Sequence, residues 1–149
     1  MLVRGKIMNW LNHDHQNFEE VVYQCRTACD AQDWPAVRRI FEKFASNYES
    51  HVRIEEEVLF PAYDAHPGTS MEPTTSLKAD HVQIFRLIRH ITQQLGNSTH
   101  ADLGEDLSLL YRTLSIHHDK EEEIFLPMAS EALYSDKDAI LTNLSSQSG

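Results

Sequence analysis

Apolar residues recur along this chain at alternating steps of four and three residues, in four separate stretches. These stretches cover residues 8–29, 37–58, 77–95 and 103–128. Such spacing places the apolar residues on one face of an α-helix, and it is typical of helices that pack side by side with interlocking side chains. Four helices of this kind predict an all-α protein with the architecture of a four-helix bundle.

Residues that end or begin helices lie between the four stretches. Asp33 and Pro35 precede the second stretch, as expected of an N-cap followed by proline in the first helical turn. Segment 66–73 contains two prolines and a glycine and predicts a loop, after which Thr75 or Ser76 can cap the third helix. Because short connections favour antiparallel neighbours, the predicted order of the helices is up-down-up-down.

The length of the chain suits one domain with a real hydrophobic core, since 149 residues is near the usual domain size. We predict that this bundle occupies residues 1–128. Residues 129–149 form a C-terminal extension, in which we expect a short helix within 129–144 and then a frayed tail.

Several chemically distinctive residues fall on one another when the chain is shifted by 66 positions. The pairs are Asp14 and Asp80, His15 and His81, His51 and His117, Glu55 and Glu121, and Pro61 and Pro127. The apolar stripes of the first two helices fall on those of the last two in the same way. The sequence therefore predicts a helical hairpin that occurs twice, about an approximate twofold axis.

Polar residues with metal-binding side chains interrupt the apolar stripes. They are His15, His51, Glu55, His81, His117 and Glu121. An unpaired neutral polar group in an apolar core costs roughly 2–7 kcal/mol, and an unpaired carboxylate costs far more. No lysine or arginine lies on the stripes to balance the two glutamates. These residues therefore predict bound metal cations, with a buried hydrogen-bond network as the alternative.

The spacing within each pair indicates how metal ions would be held. A histidine and a glutamate four residues apart lie one turn apart on the same helix face, so each pair can reach one site. Mixed imidazole and carboxylate donors favour iron over manganese and zinc. Six donors are too many for one catalytic ion and fit two ions that are bridged by carboxylates.

Tyr48 is the main departure from the repeat, because Leu114 lies at the equivalent position. It precedes His51 by three residues on the same stripe. Its phenolate could bind a metal ion, or its hydroxyl could contact a metal ligand. The alternative is a core tyrosine whose hydroxyl is satisfied elsewhere.

The remaining histidines are interpreted as surface or loop residues, because none lies on a stripe or meets a histidine after the shift. They are His13, His66, His90, His100 and His118. Glu56 and Glu122 also pair under the shift and are interpreted as part of a solvated face. Asp14 and Asp80 are expected to orient neighbouring histidines.

The order of these residues resembles that of hemerythrin-like domains, the HHE cation-binding family. The shared pattern is one histidine in the first helix, HxxxE in the second, one histidine in the third and HxxxE in the fourth, over roughly residues 8–128. The resemblance implies a non-haem di-iron centre with an oxo or hydroxo bridge inside an antiparallel four-helix bundle. The implied ligands are His15 and His51 for one iron, His81 and His117 for the other, and Glu55 and Glu121 as bridges.

Two departures separate this chain from the hemerythrins that carry oxygen, which resemble it but have HxxxH in the third helix and HxxxxD in the fourth. Here Phe85 follows His81 by four residues, and Glu121 follows His117 by four. About one coordination position then stays open on each iron. Two open positions favour reaction with O2, nitric oxide or peroxide, and whether the protein is an enzyme stays open. The alternatives are an oxygen or iron sensor, a reversible O2 carrier, and an iron store or donor.

The net charge of −10 argues against nucleic acids and anionic membranes as partners. No apolar run approaches the roughly 20 residues that a membrane span requires, and the start of the chain lacks the features of a signal peptide. The expected location is the cytoplasm.

Cys25 and Cys29 lie on an apolar stripe and are interpreted as buried thiols. The expected partners are a diatomic or peroxide ligand and a redox partner that the sequence does not identify.

Overall fold

Helices are the only regular elements of residues 2–132, the part of the chain that this computed structural model describes. The α-helices are α1 (Leu2–Asp30), α2 (Trp34–Ile54), α3 (Phe60–Ala65), α4 (Glu72–Gly96), α5 (Leu103–Lys120) and α6 (Leu126–Ala132). A π-helical turn, π1 (Glu55–Leu59), joins α2 to α3, and a second, π2 (Glu121–Phe125), joins α5 to α6. The described residues thus form four long helical segments. The expected helix within 129–144 lies mostly outside them.

These four segments pack together as a helical bundle, and the predicted all-α class is confirmed. Helix α1 lies against α2 and α5, and α4 lies against α5 and α2. Each segment buries most of its predicted apolar stripe, for example through Val22, Phe41, Ile84 and Leu110. Among the described helices, none is both long and apolar enough to cross a membrane.

The predicted thiol pair lies in this core. Cys25 and Cys29 are both buried and free, as expected from their place on the stripe. Burial raises the pKa of the Cys25 thiol to about 12. A thiol that stays protonated is a poor nucleophile and a poor metal ligand. The two cysteines therefore act as small apolar residues.

The start of α2 is as predicted, whereas the predicted start of α4 is wrong. The Asp33 side chain accepts a hydrogen bond from the backbone N–H of Ala36 at 3.3 Å, which caps α2. Helix α4 begins at Glu72, so Thr75 and Ser76 lie inside it and cap nothing. Because Pro73 lies in the first turn, where a backbone N–H has no helical acceptor, the helix can begin before it.

The two π-helical turns are features that the periodicity did not reveal. Each begins at one of the repeated glutamates, Glu55 or Glu121, and ends two residues before a repeated proline, Pro61 or Pro127. In π1 the N–H of Phe60 donates to the carbonyl of Glu55, five residues back. Proline lacks an N–H and clashes with the carbonyl four residues back, so a widened turn before it lets the helix continue.

Each π turn moves the buried face of its helix by one residue. The stripes predicted that Ile124 and Met128 are buried, and this is wrong: they are 58% and 42% exposed. Phe125 is 1% exposed and fills the core position instead. In the same way Leu59, at 1% exposure, replaces Val58, which is only partly buried. The extra residue in the turn explains both shifts.

This shift predicts different stabilities for two neighbouring substitutions. Phe125→Ala should lower the free energy of unfolding by about 3–5 kcal/mol, because it opens a cavity in the core. Ile124→Ala should change it by about 0.5 kcal/mol or less, since that side chain is mostly in solvent. Urea unfolding followed by circular dichroism at matched metal content measures both. A larger loss for Ile124→Ala would contradict the shifted register.

Candidate metal centre

All six predicted metal-binding side chains meet in the interior of the bundle. Their exposed fractions are 1% for His15, 3% for His51, 1% for Glu55, 1% for His81, 2% for His117 and 1% for Glu121. Helices α1 and α4 each contribute one histidine, while the junctions α2–π1 and α5–π2 each contribute a histidine and a glutamate. Each of these junctions places the glutamate at the start of the widened turn.

Metal-binding atoms of these side chains form two overlapping groups, and within each group the atoms lie within 4.8 Å of one another. The N-terminal subsite consists of His15 and His51 together with Glu55 and Glu121. The C-terminal subsite consists of His81 and His117 together with the same two glutamates. Each group could hold a metal ion, and both glutamates lie between the two positions.

Buried polar atoms at the centre show that these residues fit a cation. Several of these atoms have no hydrogen-bond partner among the described residues. They are Nε2 of all four histidines, Oε1 of Glu55 and both carboxylate oxygens of Glu121. The closest approach joins His117 Nε2 to Glu121 Oε1, at 2.9 Å, and His81 Nε2 lies 3.2 Å from Glu55 Oε1. Unsatisfied buried groups cost about 1–3 kcal/mol each. Imidazole nitrogens and carboxylate oxygens are donors that transition-metal ions accept.

The ionisation of this cluster also suits a cation. Burial raises the pKa of Glu55, but the charges of neighbouring imidazoles, His51 first, outweigh it and lower the pKa to about 2. Burial lowers the pKa of His117 to about 4. Near neutral pH the first group is a carboxylate and the second a neutral imidazole, which are the forms that bind metal ions. Burial lowers the pKa of His81, but Glu55 and Glu56 raise it overall, so a proton competes with a cation there.

Two aspartates orient histidines, as the sequence predicted. His51 Nδ1 lies 2.8 Å from Asp14 Oδ2, and His117 Nδ1 lies 3.0 Å from Asp80 Oδ2. Burial raises the pKa of each aspartate, but the hydrogen-bonded partners outweigh this effect and lower the pKa overall. Each aspartate therefore stays an ionised acceptor. The imidazoles therefore donate from Nδ1 and keep the Nε2 lone pair for the interior.

Glu56 acts in the same way, and its interpretation as part of a solvated face is wrong. Its Oε2 lies 2.6 Å from His81 Nδ1, although the side chain is still 36% exposed. Glu56 lies in the widened turn π1, and its side chain extends to His81 on α4. An acidic residue next to a buried ligand-type glutamate was the available sequence signal.

His118 is the second residue that the sequence interpretation missed. It was assigned to the surface, but it is 1% exposed. Its Nδ1 donates to Glu19 Oε2 at 2.7 Å, and Ser115 Oγ donates to the other oxygen of the same carboxylate at 2.6 Å. Its ring stacks on His15 with centroids 3.8 Å apart and planes 6° apart. Burial lowers its pKa to about 3, so it is a neutral ring near pH 7.

The sequence held two signals for this burial. The equivalent residue in the first half is the apolar Val52, which is itself buried. Glu19 follows His15 by four residues, which is the HxxxE spacing. The other interpretations are consistent with the structure for His13 and His90, which are exposed. His100 is partly buried and stacks on Trp34 at a centroid distance of 3.9 Å.

Tyr48 lies beside the cluster and is 1% exposed. Its hydroxyl has no hydrogen-bond partner within the described part of the chain. The ring centroid lies 6.4 Å from that of His51 and 6.5 Å from that of His81. Burial, together with the negative charge of Glu55, raises the pKa of this phenol well above its ordinary value of 10.0. The side chain is thus a neutral phenol next to both subsites.

Comparison with known proteins agrees with this geometry. The family model described as the Hemerythrin HHE cation binding domain matches residues 6–129. No curated protein and no solved structure matches the chain. The matched range includes most or all of each of the four helical segments and all six side chains of the cluster. The chain therefore belongs to the hemerythrin HHE cation-binding domain family.

Proposed function

We propose that this protein is a non-haem di-iron protein that binds or reacts with O2, nitric oxide or peroxide. The observation that carries the proposal is the pair of overlapping donor groups that share Glu55 and Glu121. In this assignment His15 and His51 bind one iron, and His81 and His117 bind the other. The two glutamates bridge the irons together with an oxo or hydroxo group.

The hydrogen bonds outside the cluster support two equivalent half-sites. Asp14 bonds to His51 and Asp80 bonds to His117, and both pairs are separated by 37 residues. The same contact thus occurs once in each half of the chain. We include in the proposal the antiparallel order of the helices and their approximate twofold relation, which would produce this recurrence.

Donor chemistry supports iron. Each subsite offers two imidazole nitrogens and oxygens from two carboxylates, a mixture that suits iron and is richer in nitrogen than magnesium or calcium sites. When bound, a pair of iron ions supplies electrons and Lewis acidity to a small ligand. Manganese and zinc are the less favoured ions.

The surroundings of the site support a small uncharged ligand. Trp10 stacks on His51 with centroids 4.7 Å apart, and Phe60 stacks on His81 with centroids 6.0 Å apart. These rings cover the imidazoles and exclude bulk water from the cluster. Charged or bulky ligands would lose their hydration on entry, whereas diatomic gases and hydrogen peroxide lose much less.

Phe85 supports reactivity over simple oxygen transport. It lies one turn after His81, where the oxygen-carrying pattern has a histidine, and its ring packs against Tyr48 at a centroid distance of 5.6 Å. A phenyl group cannot bind iron, so each iron keeps about one open position. A sensor, a reversible carrier and an iron store or donor are the alternatives, and the cytoplasm stays the expected location.

The metal content tests the site directly. Wild-type protein loaded with ferrous iron and desalted should hold about two irons per chain by elemental analysis. His51→Ala and His117→Ala should each lose bound iron, because each removes one nitrogen donor. His13→Ala is the matched control and should keep both ions, since that side chain is 84% exposed. A folded wild-type protein without tightly bound metal would contradict the proposal.

Reactivity distinguishes the functional classes. The reduced di-iron protein should show a rapid change in its visible spectrum with O2, nitric oxide or hydrogen peroxide. With ascorbate added as the electron donor that reduces the iron again, it should consume the reagent over repeated additions. Zinc-loaded protein is the control, because zinc has no redox chemistry. A reversible spectral change without consumption would favour the carrier or sensor, and no response to any of the three ligands would contradict reactivity.

Tyr48→Phe tests the role of the buried phenol. Its raised pKa disfavours a phenolate, so we expect the ferric protein to keep its visible bands. We also expect nitric oxide or peroxide to bind about five- to tenfold more weakly, the loss of one hydrogen bond of about 1 kcal/mol. Loss of a charge-transfer band in the variant would instead show that the phenolate binds iron.

A further inference from the structure

The four histidines of the two subsites are not held equally. In the C-terminal subsite both imidazoles donate from Nδ1 to a carboxylate: His81 to Glu56 at 2.6 Å, and His117 to Asp80 at 3.0 Å. Asp80 is fixed in turn by Lys120, whose Nζ lies 2.6 Å from the same oxygen. Both ligand-type rings of this subsite thus have a fixed tautomer and a fixed orientation.

In the N-terminal subsite only one imidazole is held in this way. His51 Nδ1 lies 2.8 Å from Asp14 Oδ2. His15 Nδ1 has no hydrogen-bond partner among the residues that the structure describes. The nearest carboxylate oxygen, Oε2 of Glu122, lies 3.5 Å away and forms no hydrogen bond. Glu122 is the repeat equivalent of Glu56, so the same pair of positions makes a short bond in one half and none in the other.

A different contact holds His15. The ring of His118, which is fixed by Glu19, stacks on it with centroids 3.8 Å apart. Stacking limits tilting of the His15 ring, but it transfers no charge to the imidazole and selects neither tautomer. A hydrogen bond from a ligand histidine to a carboxylate raises the basicity of the ligand nitrogen, and its loss typically weakens metal binding about 10- to 100-fold.

The surroundings of Asp80 act in the opposite direction. Lys120 shares Asp80 with His117 and withdraws negative charge from that bond. Among the described residues, the second partner of Asp14, besides His51, is the exposed His13, whose Nδ1 lies 3.5 Å away. Both aspartate–histidine bonds are nevertheless present. The contrast between His81 and His15 is larger, because there the bond is present in one subsite and absent in the other.

We propose that the two subsites bind metal unequally: the C-terminal subsite fills first, the N-terminal subsite is the labile one, and Glu56 is the positioning residue that produces the difference. This inference rests on the two-ion centre proposed above. It implies that the protein passes through a one-metal form, with the ion between His81 and His117, before the centre is complete.

Titration of metal-free protein with Co²⁺ in chelator-buffered solution, followed by visible absorption, tests this order. Wild type should bind two ions in steps whose affinities differ by about tenfold or more. Glu56→Gln should weaken the first step about 10- to 100-fold. Glu122→Gln is the matched control, since it removes the same charge at the repeat-related position, and it should shift neither step by more than about threefold. Circular dichroism of the metal-free variants checks that both fold.

Two further variants assign the steps to positions. His15→Ala should keep the tight step and lose the weak one, and His81→Ala should lose the tight step. Two ions bound with equal affinity, or equal effects of Glu56→Gln and Glu122→Gln, would overturn the inference and leave the two-ion centre intact. If wild type binds one Co²⁺ or none, the two-ion proposal itself fails.

Discussion

The whole interior is organised around two buried carboxylates that have no lysine or arginine partner among the described residues. Glu55 and Glu121 are each 1% exposed, and their described ion-pair partners are all histidines. Leaving such buried charge without a metal ion would cost a large share of the roughly 5–15 kcal/mol by which a domain is stable. A bound cation would remove this cost, so we expect metal binding to stabilise the fold. The candidate donors come from all four helical segments, so a bound ion would connect them.

A second layer of residues makes the donors available. Two aspartates and Glu56 fix three of the four imidazoles so that Nε2 points inward, while the π turns present each glutamate where its helix widens. The repeated prolines and the π turns belong together, because the widened turn absorbs the missing backbone hydrogen bond. The helix irregularity thus lies at the candidate metal centre, and π turns are often found at functional sites. One difference between the two halves, at His15 and His118, concerns how a candidate ligand histidine is held.

Much of the bundle and of the site could be predicted from the sequence, because both depend on periodic patterns. Alternating steps of three and four residues predicted the buried apolar residues of α1 as far as Cys29 and of α5 as far as Leu114. The 66-residue repeat predicted that six polar side chains would meet. The misplaced core residues after Glu121 have one cause, since a single extra residue in a turn leaves no mark on hydrophobic periodicity. His118 was missed because its burial depends on Glu19, which lies 99 residues away. The bond between His118 and Glu19 forms because α1 packs against α5, and hydrophobic periodicity does not reveal which helices are neighbours.

Anomalous X-ray scattering from crystals of the iron-loaded protein tests the central claim most directly. Data collected above and below the iron absorption edge should show two iron peaks per chain between Glu55 and Glu121, about 3.5–4 Å apart. One peak should lie against His15 and His51, and the other against His81 and His117. A single peak, or iron bound only by acidic residues at the surface, would contradict the two-metal centre.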